Sequence, residues 1–176
     1  MILIVLVIIV FGGLAVFLFS FAGTLEQPEY TDLYVTNLLL SLMRTNTGYQ
    51  DSQCSVLSDA ISCAFFESDW RCGTSGPTCL ELVNETITNE IGRFSLIQQN
   101  YRYLFIAKPE KMDTVTGEYV EVMNPVTSEP LRVKVGDLSL EQYRGKKIVR
   151  SYAVHKSTRR GPMIIRTQLI LSQRED

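Results

Sequence analysis

Residues 1–23 read MILIVLVIIVFGGLAVFLFSFAG, with no Asp, Glu, Lys or Arg among them; the first cation in the chain is Arg44. As a helix this run would be about 35 Å long at 1.5 Å per residue, enough to cross a bilayer core that needs about 20 apolar residues. The remaining 153 residues have an ordinary polar composition. The whole chain has 176 residues, 45% hydrophobic and 20% charged, with a net charge of -2. Such a length fits one domain, or a smaller domain behind an anchor. A disordered chain would be less apolar and a bulk polyanion binder far more basic. With His155 the only histidine, His-based metal clusters are excluded.

The apolar run has three readings. Ser20-Phe21-Ala22 resembles a small-residue cleavage site, but the run exceeds a signal peptide's apolar region and no positive segment precedes it. A permanent anchor lacks flanking Lys or Arg to set its orientation. Removal of a basic leader, leaving Met1 as a processed N-terminus, accounts for the missing charge.

Next comes a break. Pro28 removes a backbone donor and disfavours helix at Gln27, so the sequence predicts a kink between Gly23 and Glu29. A second helix is expected from Thr31 as N-cap, carrying Leu33, Tyr34, Val35, Leu38, Leu39, Leu40, Leu42 and Met43. Those residues cover more than one face, which predicts burial on most sides.

A long apolar N-terminal helix, a removed leader and a polar head together resemble the type IV pilin superfamily. Bacterial major pilins carry glutamate at the fifth mature position. Val5 stands there in this chain, which is closer to the archaeal branch. The resemblance covers residues 1–44 in pattern only. It implies a homopolymeric filament whose core is a bundle of N-terminal hydrophobic helices, with Ile2, Ile4, Val5, Val7, Ile8, Phe11, Val16, Phe17 and Phe19 as core residues. It also implies membrane insertion before assembly, with a prepilin peptidase, an assembly ATPase and a membrane platform protein as partners. The mature location would be an extracellular filament that touches a cell-surface target.

Residues 45–176 are expected to form the head. Cys54, Cys63, Cys72 and Cys79 are spaced without any C-x-x-C pair. Zinc ribbons need ligands two to four apart so that one turn presents both thiolates. Two disulfides in an oxidising space fit better. Three pairings are possible, and we expect Cys54 or Cys63 to bridge forward to Cys72 or Cys79, stapling two helices. Val56, Leu57, Ala60, Ile61, Ala64 and Phe65 mark one helical face. Cys72 to Pro77 reads as a loop. Thr78 and Glu81 form a capping box, followed by Leu80, Val83, Ile87, Ile91 and Phe94 as an amphipathic stripe. Asn84-Glu85-Thr86 is an N-glycosylation sequon at the edge of that stripe.

From Tyr101 the apolar period becomes two. Strands are expected from Tyr101 to Lys108, Glu118 to Met123, Leu131 to Val135, Ile148 to Val154 and Met163 to Leu171, with a longish turn over Ser157 to Pro162. The expected fold class is therefore α+β: a long hydrophobic N-terminal helix, a disulfide-stapled helical portion over 45–100, and an antiparallel sheet over 101–176.

Charge divides along the same line. Residues 1–100 hold 3 Lys and Arg against 10 Asp and Glu, a net of -7; residues 101–176 hold 14 against 9, a net of +5. Arg144, Lys146, Lys147, Arg159 and Arg160 form a basic surface. It has three readings: a solvated face, an anionic partner, or pairing with the acidic half of a neighbouring copy. No aromatic interleaving marks it as a nucleic-acid surface. No nucleophile elbow, phosphate loop or dinucleotide loop is present, and His155 has no nucleophile nearby in sequence. The expected role is structural or adhesive rather than enzymatic, with no cofactor. A single-pass anchored binding domain, or a minor pilin or pseudopilin, is the alternative.

Overall fold

The computed structural model describes residues 28–67, 69–125, 127–158 and 161–174. The chain divides into two compact units, Met1–Tyr34 and Val35–Asp176. In order, the described elements are helices α1 (Pro28–Met43), α2 (Leu57–Phe66), α3 (Cys79–Gly92) and α4 (Ser95–Asn100), then strands β1 (Tyr101–Met112), β2 (Tyr119–Glu121) and β3 (Val133–Gly136). A 3-10 turn over Leu138–Glu141 follows, then β4 (Ile148–Thr158) and β5 (Gly161–Gln173).

The expected long hydrophobic N-terminal helix is corrected. Among the described residues no helix is long and apolar enough to cross a membrane. Helix α1 has 16 residues, about 24 Å at 1.5 Å per residue, and includes Glu29 and Asp32. The fold that the structure supports is α+β, with two disulfides and a five-stranded antiparallel sheet. The proposed core residues Ile2, Ile4, Val5, Val7, Ile8, Phe11, Val16, Phe17 and Phe19, and the kink residue Gly23, lie outside the described residues. Pro28 and Glu29 are helical, and Thr31 is inside the helix rather than at its cap. Proline is tolerated in a first helical turn because its missing N–H has no partner there to lose. Burial is also narrower than expected. Val35, Leu38, Leu39, Leu42 and Met43 form one buried face at ordinary helical spacing, while Leu33 is exposed.

Beyond α1 the chain turns through an isolated bridge between Asn46 and Val56, and the Leu57 N–H donates to the Thr45 carbonyl at 3.0 Å. Helix α2 buries Leu57, Ala60, Ile61 and Cys63; Ala64 and Phe65, expected on the same face, are half-buried at its end. The capping box of α3 is present in both directions. The Glu81 N–H donates to Thr78 Oγ1 at 3.3 Å, and the Thr78 N–H donates to Glu81 Oε2 at 2.8 Å. Val83, Ile87 and Ile91 are fully buried, joined by Leu82 and Thr86. Leu80 is exposed instead. Helical side chains lean toward the N-terminus, so a residue in the first turn reaches past the end of the core. Phe94 caps the short helix α4, which has too few residues to carry a periodic signal.

Strand β1 is the centre of the sheet. One edge pairs with β5 over Tyr101–Lys111, and β4 lies beyond β5; the other edge pairs with β2 and β3 in line. Leu104, Phe105, Ile106 and Ala107 are all buried, so this part of the strand is covered on both faces. One face carries Phe105, Ala107, Val133, Val135, Ile165 and Leu169, and the helices pack there. An ion pair from Lys156 on β4 to Asp59 on α2 fastens this layer. The second face carries Leu104, Ile106 and Ile170, covered locally by Leu140 of the 3-10 turn and flanked by Tyr143 and Val149. Strand β3 ends at Gly136, where φ is 109° and a Cβ would lie 2.4 Å from the Tyr103 carbonyl oxygen. Only glycine allows that approach. Strands β4 and β5 extend through Thr158 and Gly161, which leaves two residues between them rather than the longer turn expected.

Candidate functional site

The second face of the sheet is apolar at one end and charged over the rest. Along β1, Lys108 and Glu110 project to it, joined by Arg166 and Gln168 from β5, Ser151 from β4, Glu121 from β2 and Lys134 from β3. Register puts Lys108 directly opposite Arg166, and Glu110 directly opposite Glu121. Like charges in that relation are destabilising. Every one of them instead pairs sideways or along the strand. Arg166 donates from Nε and Nη2 to the two oxygens of Glu110, both at 2.9 Å. Lys108 Nζ lies 3.5 Å from Glu110 and 2.5 Å from Glu121. Arg132 reaches Glu121 at 3.0 Å and Glu141 at 3.5 Å, and Lys134 reaches Glu141 at 2.6 Å. The result is one chain of alternating sign: Arg166, Glu110, Lys108, Glu121, Arg132, Glu141, Lys134. It joins β5, β1, β2, β3 and the 3-10 turn.

The carboxylates respond as expected. Hydrogen bonds from Arg166 hold Glu110 below its ordinary pKa of 4.5, against the opposing effect of burial. Hydrogen bonds from Lys108 and then Arg132 do the same to Glu121, and Glu110 in turn raises Arg166. A depressed folded pKa contributes stability that is complete above the unfolded value and is lost as pH falls through the folded one. Stability should therefore decline below about pH 4.5. Glu110→Gln should cost about 1–2 kcal/mol at neutral pH, as the loss of a charge-assisted bond between a buried carboxylate and an exposed guanidinium, and should flatten that acid decline. Urea midpoints of both proteins across the acid range test this; an acid limb of the same slope in the variant would remove Glu110 as its cause.

Beside the ladder is a depression of about 410 Å³, with Ile106, Val149 and Ile170 at its base and Lys108, Arg132, Lys147, Arg166, Ser151 and Gln168 among its polar lining. A second, shallower one of about 610 Å³ lies at the end of the sheet, between Tyr101, Tyr103, Arg102, Arg174 and Asp137. There Arg102 is 3.7 Å from Asp137 and stacks over Tyr143 at 5.1 Å. Hydrogen bonds from Ser139, with Arg102 adding to them, keep Asp137 below its ordinary pKa. Both depressions present fixed donors to an anionic or hydroxyl-rich group. Neither assembles a nucleophile with a base among the described residues.

The basic residues singled out from sequence are divided. Arg144, Lys146 and Lys147 are exposed in the turn before β4, whereas Arg159 and Arg160 lie outside the described residues. Lys147 lines the first of the two depressions. Lys108, Glu110, Arg132, Glu141 and Arg166 went unremarked as a site. The available signal was charge at alternate positions inside strands, which in an antiparallel sheet aligns charges on one face. His155 is exposed on β4.

The four cysteines pair as Cys54–Cys72 and Cys63–Cys79, with Cα atoms 5.8 Å apart in both. Cys63 is in α2 and Cys79 opens α3, so this bridge staples two helices as expected; the other ties the loop before α2 to the loop after it. Cys79 Sγ is 3.9 Å from both sulfurs of the other bridge. The cluster of Cys54, Cys72 and Cys79 has metal-like spacing, but its thiols are used in disulfides. The loop between them depends on Gly76, where a Cβ would lie 1.8 Å from the Cys72 carbonyl oxygen. Asn84 is exposed on α3, while Thr86 of the same sequon is buried. No protein-family model matches the chain, and no curated protein or solved structure matches it significantly.

Proposed function

We propose that the chain is a structural subunit of an extracellular archaeal type IV pilus-like filament, held in the polymer by its apolar N-terminal segment. The observation that carries this reading is the juxtaposition of 23 uncharged residues with a disulfide-bonded α+β unit. Moving such a segment from lipid into protein gains little hydrophobic energy, because lipid is equally apolar. Releasing it into water is another matter. At about 25 cal/mol per Å² over roughly 1,500–2,500 Å² the penalty is tens of kcal/mol. Assembly then needs a motor, and the finished fibre holds without one. On this reading a prepilin peptidase, an assembly ATPase and a platform protein act before the filament exists, and the head serves adhesion rather than catalysis.

The test is electron microscopy of material sheared from producing cells, with mass spectrometry to find this chain in the fibres. Ile8→Lys should abolish filaments, because it buries an unpaired charge wherever that segment is packed. Normal fibres from the variant would overturn the reading. The charged depression beside Lys147 favours a second reading, a membrane-anchored binding domain or minor pilin. In that case the chain stays with the membrane fraction and Ile8→Lys changes no fibre.

A further inference from the structure

Strand β4 ends the sheet. One of its edges is paired with β5 over all 11 residues of Ile148–Thr158, and no described residue pairs with the other. The register runs unbroken from Ile148 opposite Leu171 to Thr158 opposite Gly161, so no bulge turns the edge aside. The strand contains neither proline nor glycine. Proteins ordinarily shorten, bulge, interrupt or cover an edge of this length, because its free N–H and C=O groups template further pairing.

Among the described residues one protective device is left, and it is charge. From Gln142 to Arg174 the chain has nine Lys and Arg and no Asp or Glu. Lys156 and Arg166 take acids from other elements, Asp59 and Glu110. Lys146 and Lys147 are exposed and pair with no acid among the described residues. Two β4 edges brought together would gather cations with no acid of their own segment to offset them, which disfavours self-pairing. The same charges favour a strand that carries acids.

We infer that the outer edge of β4 is a docking site for an acidic, extended segment of a partner protein, which adds to the sheet as a further strand. Main-chain hydrogen bonds to β4 supply the binding, as in other strand additions. Lys146 and Lys147, in the turn just before the strand, select for acids, and Lys147 also lines the adjoining depression.

Hydrogen exchange on the full chain in detergent micelles tests this, with a short alternating glutamate–valine peptide as probe and a lysine–valine peptide as control. Amides within Ile148–Thr158 should exchange more slowly with the acidic peptide alone. Lys146→Glu combined with Lys147→Glu should weaken binding about tenfold, since exposed charges contribute modestly each. Added salt should weaken it in the same direction. Unchanged protection of β1 amides shows that the variant remains folded. Binding without protection in β4, equal protection by the lysine peptide, or no binding of the acidic peptide would each overturn the inference.

Discussion

Reducing both disulfides should lower the stability of the folded unit by about 6 kcal/mol, or about 15 °C in melting temperature for a unit of this size. The bridges close loops with sequence separations of 18 and 16, each worth about 3 kcal/mol through the entropy denied to the unfolded chain. Little else could replace them where they sit. Helix α2 has ten residues and α3 has 14, lengths at which isolated helices are marginal in water. All four cysteines are buried, so their removal also opens space. Thermal melts with and without reductant measure the sum. Cys63→Ala with Cys79→Ala, and Cys54→Ala with Cys72→Ala, should each give about half of it. A reduced chain that melts within a degree or two of the oxidised one would mean that core packing alone holds the helical portion.

The second large effect is expected at Phe105. It is fully buried in the central strand, flanked in register by Val135 and Leu169, on the face that meets the helices. Phe105→Ala removes a ring that both layers contact, and neither can collapse on the gap without breaking strand register. A loss of about 3–5 kcal/mol follows, read as a lower urea midpoint at an unchanged slope. Val115 provides the contrast. It is 91% exposed at the tip of the β1–β2 hairpin, so Val115→Ala should change stability by no more than about 0.5 kcal/mol. Comparable losses from both would show that the sheet is not the centre of the core.

What sequence could reveal depended on how local the cause was. The capping box of Thr78 and Glu81 involves residues three apart and was read correctly, as was the change to a period of two at Tyr101. Five antiparallel strands are present, one in each of the five stretches where a strand was expected. Errors came where burial is decided by distant elements. Leu80 fits the periodic stripe but has no core above it, and the apolar run of α1 uses one face rather than most of its circumference. The 3-10 turn places only Leu140 in the core, too brief a signal to read. The long N-terminal helix, inferred from apolar length, is not among the described elements. Disulfide partners were left open because three pairings satisfy the same spacings. The charged ladder was least legible of all. Its members come from 110, 121, 132, 141 and 166 and their neighbours, and only strand register brings opposite signs together.

The order of the two bridges has a consequence for cleavage. Cys54, Cys63, Cys72 and Cys79 pair first to third and second to fourth, so the closed loops overlap rather than follow one another. A single cut of the backbone anywhere between residues 54 and 79 leaves at least one bridge spanning it. The exposed stretch Gly73-Thr74-Ser75 can therefore be nicked without releasing a fragment. The severed chain stays one covalent molecule until a reductant reaches sulfurs that are almost wholly out of contact with solvent.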